Sequence, residues 1–547
     1  MMLTSELLNR NYTEKELKEY IYYKMPSDND GERKSYLVEN LLSAPIEDLN
    51  KDVLNLFKPK NYTKEEIKEN RDIKRIANEF SLFFSQFLNL NNDEISNVDI
   101  INDFNLFGIT INDFLPKYKS NPLPYKVALS KMTTPRLIKG KLFKILNQQI
   151  ELDQIRNNNV DEYMSDSMYS IMTRKEKSCY EYLSNRFIEI GEEKRTLQEL
   201  ADNAKITRMN EFCVIKNYIN SLVDDPSWGC RFITLTNKPS DLARGFNPSD
   251  KTHWDRETTP KHNAEALQSL WRTIQSYANR KGIPLVGIWC REPHKKGGVH
   301  QHLLIFTKKE YLVNDSELFA MSNHLKNGFT GKYRAIKKTI LNSEKTTIEK
   351  LFLDKFGYTD RSCRIDVLVK KEKTSNIVNY ITKYIMKTIN VKEYNGTALN
   401  DDEDKKLEKI SFHRKLWNYR GYGFFGFKSN IGLWRLLQRI KNVSVADSIL
   451  KTDSILSKAL SAVKENDFSE FINNVSNLKV VNKSSLSEHG EKTYSKIGII
   501  EIERREAINY YFFDELNDIS ESNIINHIRE FTGIHELTLP KYEIQLG

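Results

Sequence analysis

The stretch Arg291-Glu292-Pro293-His294-Lys295-Lys296-Gly297-Gly298-Val299-His300-Gln301-His302-Leu303-Leu304-Ile305-Phe306 constrains this chain more than any other. Two β-rich runs flank a diglycine, the pattern of a hairpin. Side chains at i and i+2 of a strand point the same way, so His300 and His302 share a face, and the turn at Gly297-Gly298 brings Glu292 back beside them. Glu292 reaches that face in only one parity of register, and the two glycines permit a bulge that sets either. Two imidazoles and a carboxylate suit a divalent cation of the Mg, Mn or Zn kind, Mg or Mn being the expectation, with positions open for substrate. The plainer alternative is a strand end carrying solvated histidines, and a second feature further along decides between them.

Around this hairpin the pattern is α+β. Phe232-Ile233-Thr234-Leu235-Thr236 reads as a strand, 261–281 as a helix ending at Gly282-Ile283-Pro284, and 285–292 with 299–307 as the hairpin. A charged stretch over 308–360 reads as an insertion, Arg364-Ile365-Asp366-Val367-Leu368-Val369 as a returning strand, and 375–387 as a helix. A chain of 547 residues exceeds one core, and the texture suggests four parts. These are a helical region of unknown role (1–125), a helical and basic region that could bind DNA (126–225), the α+β domain (226–395) and a mostly helical C-terminal region (396–547). Asn11-Tyr12-Thr13 and Asn61-Tyr62-Thr63 open two similar helix starts, each with a T-x-x-E capping box. Residues 196–207 have the apolar spacing of a helix-turn-helix, although Lys205 occupies the turn position. An aromatic-rich stretch leads into Gly432-Leu433-Trp434-Arg435, read as a basic helix, and a short strand is expected near 499–503.

Tyr380 and Tyr384 stand four apart on the expected helix, which stacks both phenols on one face, with Lys383 and Lys387 adjoining. Alone they would be a core stripe in a chain with 26 tyrosines. Together with two histidines and a glutamate they fit one reaction, attack of a tyrosine on a metal-polarised phosphodiester. A phenol with a pKa of about 10 is a weak nucleophile at neutral pH, and the phosphate's charge repels it, so a cation and lysines must offset that charge. A net charge of +9 agrees with a polyanionic partner. No apolar run approaches the roughly 20 residues of a membrane span, Met1-Met2-Leu3-Thr4 lacks the basic and apolar regions of a secretion signal, and five scattered cysteines suggest a reducing cytoplasm.

Phe232-Ile233-Thr234-Leu235-Thr236, Glu292-Pro293-His294 through His302, and Tyr380-Ile381-Thr382-Lys383-Tyr384 resemble the three ordered motifs of the HUH endonucleases. The two-tyrosine form with E-P-H is similar to the phage replication gene A proteins. The resemblance runs from about Met132 past Trp434-Arg435 and implies an antiparallel sheet with helices at the centre, flanked by mainly helical regions. It implies His300, His302 and Glu292 as metal ligands, Tyr380 and Tyr384 as nucleophiles and Lys383 as a catalytic cation. His294 would be a supporting or DNA contact. The expected activity is nicking of one strand at a replication origin through a 5′-phosphotyrosine, the free 3′-hydroxyl priming rolling-circle synthesis. The partners would be single-stranded or locally melted origin DNA, a host helicase and a DNA polymerase, with no membrane, in the cytoplasm of a bacterial host. Gln301 replaces the usual hydrophobic residue between the histidines, and Gly423-Phe424-Phe425 stands where a more polar, DNA-contacting segment is expected.

A transposase of single-stranded elements would share every motif. A cupin-like oxygenase would carry its glutamate after the second histidine, where Leu303 to Phe306 is apolar, and a structural zinc would need a fourth ligand that no nearby cysteine supplies.

Overall fold

The computed structural model describes residues 70–90, 106, 107, 109–116, 123–190, 193–243, 257–295, 297–367, 393, 394, 397, 398, 401–427, 430–438, 454–503 and 506–512. The paired helix starts near 11 and 61, and the helix expected over 375–387, lie outside these residues. The chain divides into two units, 1–147 with 482–497, and 148–481 with 498–547.

In the first unit, α1 (Asn70–Leu90) carries Ile73, Ile76, Ala77, Phe80, Phe83 and Phe84 at spacings of three and four, which gathers them on one face. That face packs on Leu106, Ile109 and Phe114, on α2 (Pro124–Met132) and on the first half of α3 (Pro135–Arg156). Within the same unit Ser130 meets His489 at 3.1 Å and Lys131 pairs with Glu491 at 2.6 Å.

The second unit continues with α4 (Asp166–Ser184), a hairpin of β1 (Phe187–Ile190) and β2 (Glu193–Thr196), and α5 (Leu197–Ser221). Here the structure corrects the helix-turn-helix reading. Thr196 caps α5, Glu199 closes the capping box, and the helix runs unbroken through Lys205, which pairs with Asp202 at 2.8 Å. The supposed turn holds neither glycine nor proline, the two residues that most strongly halt a helix, so propagation continues through it.

The central sheet is antiparallel, built from β3 (Trp228–Thr236), then after α6 (Pro260–Arg280) β4 (Val286–Pro293) and β5 (Val299–Lys308). Three helices, α7 (Asp315–Lys326), α8 (Thr330–Asn342) and α9 (Ile348–Phe356), lead to β6 (Cys363–Val367). After β7 (Glu393–Tyr394), β8 (Thr397–Ala398) and α10 (Asp401–Trp417), β9 (Tyr422–Phe425) completes the strand order β6-β3-β5-β4-β9. Helices cover both faces, which is why Leu303 to Phe306 reads as an uninterrupted apolar run. On one face Phe232, Ile288, Cys290 and Leu304 pack on Phe212, Ile215 and Ile219 of α5, with α11 (Asn430–Leu437), α12 (Ile455–Lys464) and α13 (Phe468–Asn474). On the other, Ile233, Trp289, Leu303 and Ile305 pack on Leu267, Trp271 and Ile274 of α6 and on α7 to α9. Each such side chain contributes about 1.5–3 kcal/mol of burial.

Several expectations change. The segment 308–360 is part of the core, burying Leu318, Met321, Phe352 and Phe356 against the sheet. The sheet's outer strand lies beyond 395, because Gly423-Phe424-Phe425 pairs with β4; Phe425 meets Trp271 edge-on at 4.9 Å, so this segment is core rather than DNA contact. The helix at Trp434 is buried, its indole edge-on to Phe468 and Phe471, and Arg435 pairs with the buried Glu211 at 2.7 Å. The C-terminal region, read as mostly helical, holds besides its helices β10 (Leu478–Leu486), β11 (Lys492–Glu503) and β12 (Glu506–Phe512), which form a three-stranded sheet. Gly490 at φ +73° turns the first pair, with the Ser487 N–H on the Glu491 carbonyl at 2.9 Å.

Candidate functional site

The hairpin register decides the parity that the sequence leaves open. Glu292 stands directly opposite His300 and Cys290 opposite His302, while across β5 Thr236 faces His300 and Thr234 faces His302. Opposed residues share a face, so Glu292, His300 and His302 project together, at the outer end of the face whose inner end is sealed by Ile288, Leu304 and Phe232. The turn that permits this is tight: His294 N–H donates to the Gly298 carbonyl at 2.5 Å, Gly297 N–H donates to the His294 carbonyl at 3.0 Å, and Gly297 sits at φ +123°. A side chain at Gly298 would begin 2.8 Å from the Ala243 carbonyl oxygen.

Within the trio, His302 Nε2 lies 3.7 Å from Glu292 Oε2, and the side chains are 10% and 13% exposed. The other ring nitrogen, Nδ1, is 3.0 Å from the Thr234 hydroxyl, and Phe232 stacks on the ring at 5.7 Å and 11°, so His302 is held from below and from one side. The His300 ring is 5.7 Å from that of His302 and 5.2 Å from that of His294. Burial, and then the neighbouring His302 and His294, push the His300 pKa down to about 3.

Two donor atoms 3.7 Å apart match two ligands on one cation with bonds of roughly 2.1 Å, and the N, N, O set suits the metals named above. Among the described residues no group of three or more His, Cys, Asp and Glu side chains stands at metal-holding geometry. The residues therefore fit a cation in donor kind and in the spacing of one pair, without a closed third ligand. Tyr380, Lys383 and Tyr384 lie outside the described residues.

Two supports escape a reading of the sequence, and a third, Gln301, shows there only as a departure from the family pattern. His413, fully buried on α10, contacts the Gly297 carbonyl through Nε2 at 3.1 Å and the Tyr419 hydroxyl through Nδ1 at 3.0 Å. A carbonyl only accepts, so Nε2 carries the proton and Nδ1 accepts from Tyr419. Burial pushes the pKa of His413 down to about 3. Tyr163, at φ +66°, donates its backbone N–H to the Lys295 carbonyl at 3.0 Å, and burial followed by the charges of Glu292 and Glu162 raises its phenol. Gln301 points to the opposite face, fully buried, where its Oε1 accepts from Arg291 Nε at 3.0 Å while the guanidinium lies 4.4 Å from the Trp289 ring. Burial draws Arg291 down to about 10, and Gln301 and Gln268 supply acceptors that an apolar residue between the histidines would not.

Comparison with known proteins adds family to geometry. Over 303 residues the chain is 24% identical to the replication protein of Haemophilus phage HP1, an alignment covering 53% of this chain and 35% of that protein. It thus spans about a third of the length of that relative. No solved structure matches. Residues 71–392, well over half of the chain and including the hairpin with its histidines and glutamate, match the model described as bacteriophage replication gene A protein (GPA), and the chain belongs to that family.

Proposed function

We propose that this gene A family member is a site-specific single-strand DNA endonuclease and strand transferase of the HUH kind, which starts rolling-circle replication through a 5′-phosphotyrosine. The observation that carries the proposal is the register that sets Glu292, His300 and His302 on one sheet face. On this reading those three residues would hold a divalent cation, Mg or Mn, which when bound withdraws charge from the scissile phosphate. Thr234 and Phe232 keep the His302 ring from turning. The phenol oxygen of Tyr380 or Tyr384 attacks phosphorus and gives up its proton, Lys383 offsets phosphate charge, and the bond to the 3′-oxygen breaks, that oxygen leaving as a hydroxyl. One phosphodiester is exchanged for another, so no ATP is consumed. The second tyrosine is a fresh nucleophile for a second cut, after which a 3′-hydroxyl attacks the older phosphotyrosine and closes a circle. The likeness to a phage replication protein favours replication over transposition. A host helicase and DNA polymerase would act on the nicked strand, in the bacterial cytoplasm.

The test is incubation with a library of labelled single-stranded oligonucleotides and Mn or Mg, looking for an adduct that survives denaturation and maps by peptide analysis to Tyr380 or Tyr384. Tyr380→Phe and Tyr384→Phe should each retain some adduct, and the double variant none. Full nicking in excess chelator, or adduct on the double variant, would refute the proposal.

A further inference from the structure

From Thr173 to Asn210 no described side chain is buried, although Met172 and Glu211 on either side are. This span takes in the second half of α4, the β1–β2 hairpin and the first half of α5, an arm of two helices without a core of its own. Such an arm gains little stability from its apolar residues, yet it carries Tyr180 and Tyr182 at 57% exposure and Phe187 at 55%. Isolated exposed aromatics need no explanation, but three within eight positions of an arm that buries none of its described side chains do.

Two of these rings are paired with cations. The Arg186 guanidinium lies 5.2 Å from the Tyr182 ring and the Lys194 ammonium 5.0 Å from the Phe187 ring. Several of the arm's acids are engaged within the chain: Glu176 with Lys415 at 2.6 Å, Asp202 with Lys205 at 2.8 Å, and Glu199 in the α5 cap. Glu189 faces Lys194 across the hairpin. Exposed rings beside cations are what a single strand uses, its bases stacking on the rings and its phosphates meeting the cations. Duplex DNA hides its base faces and could use only the cations.

We infer that the arm from Thr173 to Asn210 is a stacking platform for single-stranded DNA, distinct in the chain from the cleavage residues. The inference rests on reading the protein as one that processes DNA. Because Glu181 and Glu189 offset part of the basic charge, the grip comes from stacking, and its contribution is insensitive to salt.

The test uses the full chain with excess EDTA, so that nothing is cut, and a fluorescein-labelled oligothymidine read by anisotropy. Combined Tyr180→Ala, Tyr182→Ala and Phe187→Ala should weaken binding at least about tenfold, since stacking on one ring alone is worth roughly five- to a hundredfold. The salt slope should not change. Tyr180→Phe with Tyr182→Phe should bind as the parent, and the circular dichroism of the triple variant should match the parent because no buried group is touched. Binding by the triple variant within about twofold of the parent overturns the inference. So does self-association that the triple variant abolishes with DNA affinity intact, which would make the arm a protein face. If the parent forms no covalent adduct with Mn but shows ring-dependent binding, the nuclease reading falls and the platform stands. Normal adduct with ring-independent binding means the reverse.

Discussion

His413 offers a stability test that no substitution in the trio could give cleanly. It is fully buried, its Nε2–H donating to the Gly297 carbonyl and its Nδ1 accepting from Tyr419, and the acceptor role of Nδ1 requires the neutral ring. Its folded pKa is about 3, against an ordinary value of 6.5 that the unfolded chain recovers. A depressed pKa means that the unfolded chain binds the proton first, so the contribution of this residue is present above pH 6.5 and is lost as the pH falls toward 3. At pH 5 the unfolded state gains about 1.5 pH units of protonation, or about 2 kcal/mol, while the folded state gains almost nothing. His413→Gln keeps a donor for Gly297 and an acceptor for Tyr419 but cannot titrate. The expected result is that the parent chain's stability relative to this variant drops by about 2 kcal/mol between pH 7 and pH 5, read from urea midpoints at constant ionic strength. A difference that stays level across that range would mean that the ring is solvated or charged in the folded protein. The account of how the hairpin turn is held would then fail.

Two further predictions follow from other buried contacts. Glu349→Leu removes the buried partner of the Arg231 guanidinium, which pairs with Glu349 at 2.5 Å in a setting 2% and 0% exposed and would keep the half-exposed Asp315 at 2.8 Å, and should cost about 3 kcal/mol in urea unfolding. Adding Arg231→Met should recover most of that, and a single variant within about 1 kcal/mol of the parent would refute the assignment. Thr234→Val removes the hydroxyl on His302 Nδ1 and should slow adduct formation about 10- to 100-fold, with single-strand binding in chelator unchanged and Thr234→Ser close to the parent. Unchanged rates in Thr234→Val would show that Phe232 stacking alone orients the ring.

The parts of this fold that follow from local pattern are those a sequence can display. The shared face of His300 and His302 is set by their spacing alone, and β3, α6, both hairpin strands and β6 were each legible from periodicity and turn residues. What was not legible comes from distant chain. Thr234 reaches His302 across 68 positions and His413 reaches Gly297 across 116, and neither pairing leaves a local mark. The outer strand at Tyr422 arrives after a long excursion, and its phenylalanines look the same in a core strand as in any aromatic stretch. The run at 196–207 shows the converse failure, since the apolar spacing of a helix pair and of one long helix differ only at the turn.

One register accounts for both faces of the hairpin. With Glu292 opposite His300, Arg291 falls opposite Gln301, and the two pairs project to opposite sides of the sheet. A shift of one position would turn the carboxylate into the apolar layer under α6, where Trp289, Leu303 and Trp271 lie, and would bring the Arg291 guanidinium beside the histidines. Either misplaced charge costs several kcal/mol unless it finds partners, and Gln301 and Gln268 are available to Arg291 only in the observed register. Gln301 therefore contributes to the site from the face it does not share with it. By rewarding Arg291 on the far side it helps to keep Glu292 on the near side, beside the two imidazoles.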